Sequence, residues 1–222
     1  MLSFQRREKY GVYDLQKLIK LLRSPEGCPW DREQTHESIR RNLIEEAYEA
    51  AEAIDEGGAA HLREELGDVL MQVLFHADIA EDAGAFGLDD VADATVRKLL
   101  YRHPHVFGDA VAETSGAVLE SWDELKRVEK SQLTVTDSLR AVAKSLPALW
   151  RAEKVLKKAA KAGFTVADFA RNHSDKPDGP GAELLALAER CLRDEADPED
   201  ALTAAVEEFI AAFETWETAA DN

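Results

Sequence analysis

Nine carboxylates crowd one short stretch, IEEAYEAAEAIDEGGAAHLREELGDVLMQV, from Ile44 to Val73. Glu45, Glu46, Glu49, Glu64, Glu65 and Asp68 sit beside Leu43, Leu62, Leu66 and Val69. Acids are costly to bury without a cationic partner. Residues three apart on a helix lie about 60° apart around the axis and one turn along it. Glu46 therefore shares a face with Glu49, and Glu65 with Asp68. A tight turn at Gly57-Gly58 makes the two helices antiparallel neighbours, so four carboxylates can converge across their interface. Gly67 is expected to let the helices approach closely. Carboxylate oxygens suit hard divalent ions such as Mg²⁺ or Mn²⁺. The competing reading is a solvated acidic face, because chance alone produces such pairs in a chain with 44 acids. Periodicity leaves both readings open.

Two further pairs have spacings that could serve a ligand. Lys98 and Arg102 are four residues apart and share a helix face, with Arg97 to the side; the alternative is ordinary surface base. Trp122 and Lys126 repeat that spacing, and a buried core tryptophan is the alternative there. Trp30 and Asp31, in the CPWD turn, either shape an entrance or plug the structure. His103 and His105 flank Pro104 without a cysteine partner, which argues against zinc. Cys28 has no identifiable histidine or asparagine partner and reads as a small apolar residue rather than a nucleophile.

The elements that must position these residues are helical almost throughout. Ala, Leu, Glu, Lys and Arg dominate, and alternating strand patterns are lacking. Helices are expected over 13–22, 39–55, 60–82, 89–102, 115–130, 149–162, 182–193 and 198–218. Pro25, Gly27 and Pro29 break the first from the second, and Gly57-Gly58, Gly84, Gly87, Pro104 and Gly163 mark other ends. The stretch from Arg171, RNHSDKPDGPG, reads as a polar and flexible loop. The helix from Arg151 to Lys161 is basic, either solvated or directed at acids of a partner subunit. DDVADATVRKLLYRH, from Asp89, can be laid on EDALTAAVEEFIAAF, from Glu199. Asp90, Ala94 and Val96 then match Asp200, Ala204 and Val206, while Arg97, Lys98 and Arg102 fall opposite Glu207, Glu208 and Ala212. If the halves are related, the second has lost its basic residues.

Composition narrows the classes. The 222 residues suffice for one large domain or two small ones. A net charge of −17 argues against nonspecific nucleic-acid binding and against docking on an anionic membrane. An anionic substrate would need metal or a local basic cluster to approach. Two cysteines, Cys28 and Cys191, give no disulfide framework and point to a reducing cytoplasm. MLSFQRREKY lacks an apolar signal core, and no uninterrupted apolar run approaches a membrane span, so a soluble, cytoplasmic protein is expected.

EEAYE at 45–49 followed by ELGD at 65–68 resembles the E-E-x-x-E … E-x-x-D signature of the all-α NTP pyrophosphatases. GCPWDREQTHESI, from Gly27, and RHPHVFGD, from Arg102, narrow the resemblance to the MazG family of nucleoside triphosphate pyrophosphohydrolases. It covers roughly residues 10–165, including SLPALWRAEKVLKKAAKAGF, and fades beyond. It implies an all-α helical bundle built as two tandem related units. Residues 1–132 would be the catalytic domain and 133–222 a degenerate second copy serving packing or dimer contacts. Glu183 and Glu189 remain in that copy without a complete acidic signature.

The implied reaction is Mg²⁺-dependent hydrolysis of an NTP or dNTP, altered nucleotides included, to NMP and pyrophosphate, as housecleaning of nucleotide pools; Mn²⁺ is a conceivable substitute. Glu46, Glu49, Glu65 and Asp68 would be the metal ligands. Glu45 would orient a water or act as general base, or stand as a solvated neighbour. Lys98 and Arg102 would face the phosphates, with Trp122 stacking on the base and Lys126 reaching phosphate. The resemblance also implies a homodimer. The alternatives are a narrower pyrophosphatase, acting on dUTP or phosphoribosyl-ATP, and a non-catalytic helical module that binds nucleotide or protein.

Overall fold

The computed structural model describes residues 3–109, 114–129, 134–172 and 179–220. They are helical with no strand among them, so the expected all-α class holds. The chain divides into two compact units, Met1–Ala110 and Val111–Asn222. The expected catalytic copy, 1–132, extends past that division.

The first unit contains α1 (Val12–Arg23), α2 (Pro29–Glu33), α3 (Arg40–Glu56), α4 (Ala59–Asp82), α5 (Leu88–Arg102) and α6 (Pro104–Phe107). Its central feature is the antiparallel pair α3 and α4, the most extensive helix contact in the unit. Gly57 makes the reversal possible. It closes α3 at φ 75°, a left-handed conformation that glycine adopts without Cβ strain, and its N–H bonds the Ile54 carbonyl. Small side chains line the buried face of α3, where Ala50 and Ala53 are covered. Ile19, Ile39, Leu74 and Phe75 form the core, with Leu15, Met71, Ile79 and Leu88 packed against it. Gly67 departs from expectation. A Cβ there would meet nothing within 4 Å, so this glycine brings no helix closer. The alanines of α3 do that instead.

An ionic hub ties α1 to the far end of α4. Arg23 Nε donates to Asp78 Oδ2 at 2.7 Å and its Nη2 to Asp82 Oδ2 at 2.7 Å. Its Nη1 donates to the Asp31 and Gln34 carbonyls at 3.1 and 3.4 Å. Arg23 and Asp78 are both about 7% exposed or less. Burial pushes the Asp78 carboxyl above its ordinary range, with the Arg23 hydrogen bond opposing. Lys20 adds an exposed pair with Glu81 at 2.7 Å. The GCPW turn is pinned from the other side: a Cβ on Gly27 would lie 2.2 Å from the Leu22 carbonyl oxygen, so only glycine fits.

The second unit holds α7 (Ser115–Glu129), α8 (Val135–Arg140), α9 (Ala148–Lys161), α10 (Val166–Asn172), α11 (Pro180–Arg193) and α12 (Pro198–Ala220). Here α9 packs on α8, α11 and α12. Val142, Leu156, Ala159 and Ala188 are buried, and the nearly buried Glu153 accepts a hydrogen bond from Lys157. Along α12, Leu202, Val206, Phe209, Ile210, Phe213 and Trp216 are exposed, an apolar row without cover.

All eight expected helices are present, with ends shifted by one or two residues. The additions are α2, α6, α8 and α10, of four to seven residues, too short for a hydrophobic period to show. Residues 173–178 of the expected polar loop lie outside the described residues.

Candidate metal centre

The α3–α4 pair brings three of the expected ligands together. Glu46, Glu49 and Glu65 each offer a carboxylate oxygen, and these atoms lie within 4.8 Å of one another. Glu46 and Glu65 are half-buried and Glu49 is exposed. Asp68, also half-buried, joins them electrostatically. Burial, then the charge of Asp68, then that of Glu49 push the Glu46 carboxyl above its ordinary range, and Glu65 adds to them. Like charges held this close favour a cation between them. Oxygens on opposite sides of a Mg²⁺ ion stand about 4 Å apart, so small rotamer changes would close this group on such an ion. The donor set, all carboxylate oxygen, fits a hard divalent cation. Glu45 is exposed one position away.

A histidine that sequence reasoning passed over belongs to the neighbourhood. His61 Nδ1 lies 2.8 Å from Glu56 Oε2 and its Nε2 lies 3.2 Å from Glu65 Oε1. Glu56 is the main cause of its raised pKa. His61 thus braces Glu65 from outside the carboxylate group. Its signal in the sequence is the four-residue spacing to Glu65. Further along the α4 ridge, Gln72 is 6% exposed and its Oε1 has no hydrogen-bond partner among the described residues. One turn on, His76 stacks on His36 with ring centroids 5.1 Å apart and Nδ1 atoms 2.8 Å apart. One of these two nitrogens must donate and the other accept.

The basic residues are placed unevenly. Lys98 is exposed on α5 and makes no ion pair among the described residues. Arg102 is half-buried at the end of the same helix. Arg97 is held by Asp93 at 2.6 Å, a local surface pair. Trp122 (half-buried) and Lys126 (exposed) lie on α7 in the second unit, so the first unit alone does not contain them.

Trp30 is 60% exposed and plugs nothing. Cys28 is a half-buried free thiol ahead of α2. His103 Nδ1 meets the Leu99 carbonyl at 2.6 Å, which makes it a donor that closes α5. Neither His103 nor His105 joins a metal-binding group among the described residues.

An all-helical unit whose central hairpin gathers carboxylates is a candidate centre for a divalent cation. Comparison with known proteins narrows it. The MazG nucleotide pyrophosphohydrolase domain matches residues 34–107, which contain α3, α4 and α5. The nucleoside triphosphate pyrophosphohydrolase/pyrophosphatase MazG of Thermotoga maritima is 37% identical over 220 residues, covering 92% of this chain and 84% of that protein. The nucleoside triphosphate pyrophosphohydrolase of Escherichia coli is 44% identical over 68% of this chain and 57% of its own length. The uncharacterized protein YabN of Bacillus subtilis is 48% identical over 64% of this chain, which spans only 29% of YabN. The chain belongs to the MazG family.

Proposed function

We propose that this chain hydrolyses nucleoside triphosphates, ribo or deoxy and altered nucleotides included, to NMP and pyrophosphate. The observation that carries the reading is the meeting of Glu46, Glu49 and Glu65 within 4.8 Å, inside the segment that matches the MazG domain. Glu46, Glu49, Glu65 and Asp68 would hold Mg²⁺, or Mn²⁺ in its place. When bound, the ion supplies charge neutralisation and an activated water.

The remaining chemistry belongs to the chain's own side chains. Glu45 orients the attacking water or takes its proton. Lys98 and Arg102 draw the negative charge that grows on the leaving pyrophosphate, where positioning and electrostatics dominate catalysis. Trp122 stacks on the base and Lys126 holds phosphate. His61 positions Glu65 before substrate arrives.

³¹P NMR of products from a mixture of NTPs and dNTPs tests this. NMP and pyrophosphate, lost with EDTA, are expected. Glu49→Gln or Asp68→Asn should reduce turnover on the order of 100-fold or more while helical circular dichroism is unchanged. Full activity in both variants would remove the ligand assignment. NDP and phosphate would mean a different bond is cut. A dominant preference for dUTP or phosphoribosyl-ATP would make the enzyme a narrower pyrophosphatase.

Several finer features belong to the same reading. The second half is a reduced copy of the first, within tandem regions 1–132 and 133–222. In support, α9 packs on α11 and α11 on α12 much as α1 packs on α4 and α4 on α5. Erosion of that copy also favours a second reading, a non-catalytic nucleotide- or protein-binding module, which nucleotide binding without product would support.

A homodimer through the α3–α4 face accounts for the exposed Ile44, Tyr48, Ile54, Leu66, Leu70 and Val73. Light scattering should return twice the mass of one chain, and a monomer would refute the pairing. The chain works in the cytoplasm, away from membranes and nucleic acid. Free Cys28 and Cys191 support this, as do the net charge of −17 and the lack, among the described residues, of a helix able to cross a membrane.

A further inference from the structure

In a chain of net charge −17, one concave surface is cationic. Within the second unit, a groove of about 950 Å³ is bordered by Lys154, Lys157, Lys158, Lys161 and Arg193. Four of these cations follow from one helix. Lys154, Lys157, Lys158 and Lys161 stand at i, i+3, i+4 and i+7 along α9, the spacing of a single stripe. The neighbouring stripe, Glu153, Leu156 and Ala159, is buried. Burial of that stripe fixes the rotation of α9 and aims its lysines at the groove. Arg193 enters from the end of α11.

The floor is apolar, with Ala141, Val142, Leu146, Leu156 and Leu192. Of the groove's described lining residues, Glu189 alone is acidic, and its Oε1 already accepts the Val166 N–H at 2.7 Å. Lys157 is neutralised by Glu153. The partners of two other lysines carry no charge: Lys158 donates to Ser138 Oγ at 3.2 Å, and Lys154 lies 5.2 Å from the centroid of the Trp150 ring. Lys154, Lys158 and Arg193 thus border a common space without an ion pair among the described residues. The volume is that of a small-molecule site.

We infer that this groove binds a condensed phosphate anion, with Lys154, Lys158 and Arg193 holding the phosphate chain. No carboxylate cage accompanies the lysines among the groove's described residues, so the anion is held without hydrolysis. The source is either a nucleotide, whose base would cover the apolar floor, or free pyrophosphate. The inference does not depend on the activity proposed for the first unit.

The test is calorimetric titration of the full-length chain in EDTA with inorganic tripolyphosphate. Without metal, the acidic hairpin repels this probe, and the groove is left to bind it. Binding is expected, weakening as salt rises because the contacts are charge–phosphate contacts. The combined variant Lys154→Gln, Lys158→Gln and Arg193→Gln should weaken binding tenfold or more. If that variant fails to melt cooperatively, Arg193→Gln alone should lower affinity while Lys158→Arg retains it. An NTP bound as tightly as tripolyphosphate would mean that only the phosphate chain is read. Tighter NTP binding would assign the floor to the base. No binding in EDTA, or equal binding by parent and variant, would overturn the inference. A change in oligomeric state without a change in anion affinity would also overturn it, because the groove would then face the acids of another copy.

Discussion

Glu46 has its carboxyl pushed up by burial and by three acidic neighbours. His61 is the complementary case. Its Glu56 contact raises the imidazole above 6.5. A raised folded-state value means that the contact stabilises the fold fully below pH 6.5 and is lost as pH climbs through the raised value. NMR titration should find this histidine above 6.5, and Glu56→Gln should bring it back towards that figure. An unchanged titration would show that Glu65 alone holds the ring. Arg23 gives a larger effect, because its guanidinium meets a buried carboxylate at 2.7 Å. Removing one partner of a buried ion pair strands the other. Arg23→Ala should therefore cost the first unit about 3 kcal/mol, read as a lower urea midpoint. The three-residue pairs were legible in the sequence, but their spacing left a solvated face open, and the resemblance singled out the ligand set. Arg23 and Asp78 were not, because 55 residues separate them and only the packing of α1 on α4 makes them neighbours.

Elements expose the limits of reading glycine by type. Gly67 lies inside α4 with open space where a Cβ would go, whereas Gly27 has backbone carbonyl oxygen at 2.2 Å. The two should respond oppositely to alanine. Gly67→Ala removes a helix-interior glycine without a clash and should stabilise by about 0.5–1 kcal/mol. Gly27→Ala must move the end of α1 and should destabilise. Thermal melts of both variants check the pair, and a loss at Gly67 would locate a second surface packed over that spot. The long helices were readable because each carries several turns of apolar periodicity and most end at glycine or proline. The short helices were not. Proline at the start of α2 and α6 shows why: the residue marks breaks and beginnings equally.

At the scale of the whole molecule, two compact units divide the chain near residue 110, one holding the carboxylates and the other the lysine groove. Acidic character was visible from composition. The lysine groove was not, since it draws on residues from 138 to 193 that only tertiary packing assembles. The bare row on α12 has a consequence for how the protein behaves in bulk. None of Leu202, Val206, Phe209, Ile210, Phe213 and Trp216 titrates in the acid range, so the row's attraction is indifferent to pH. Mutual repulsion between molecules rests on the net charge and fades as the solution nears the isoelectric point of the composition, about pH 4.8. Mild acid should then leave the helix free to act as an adhesive strip, and turbidity should rise as the solution nears that pH.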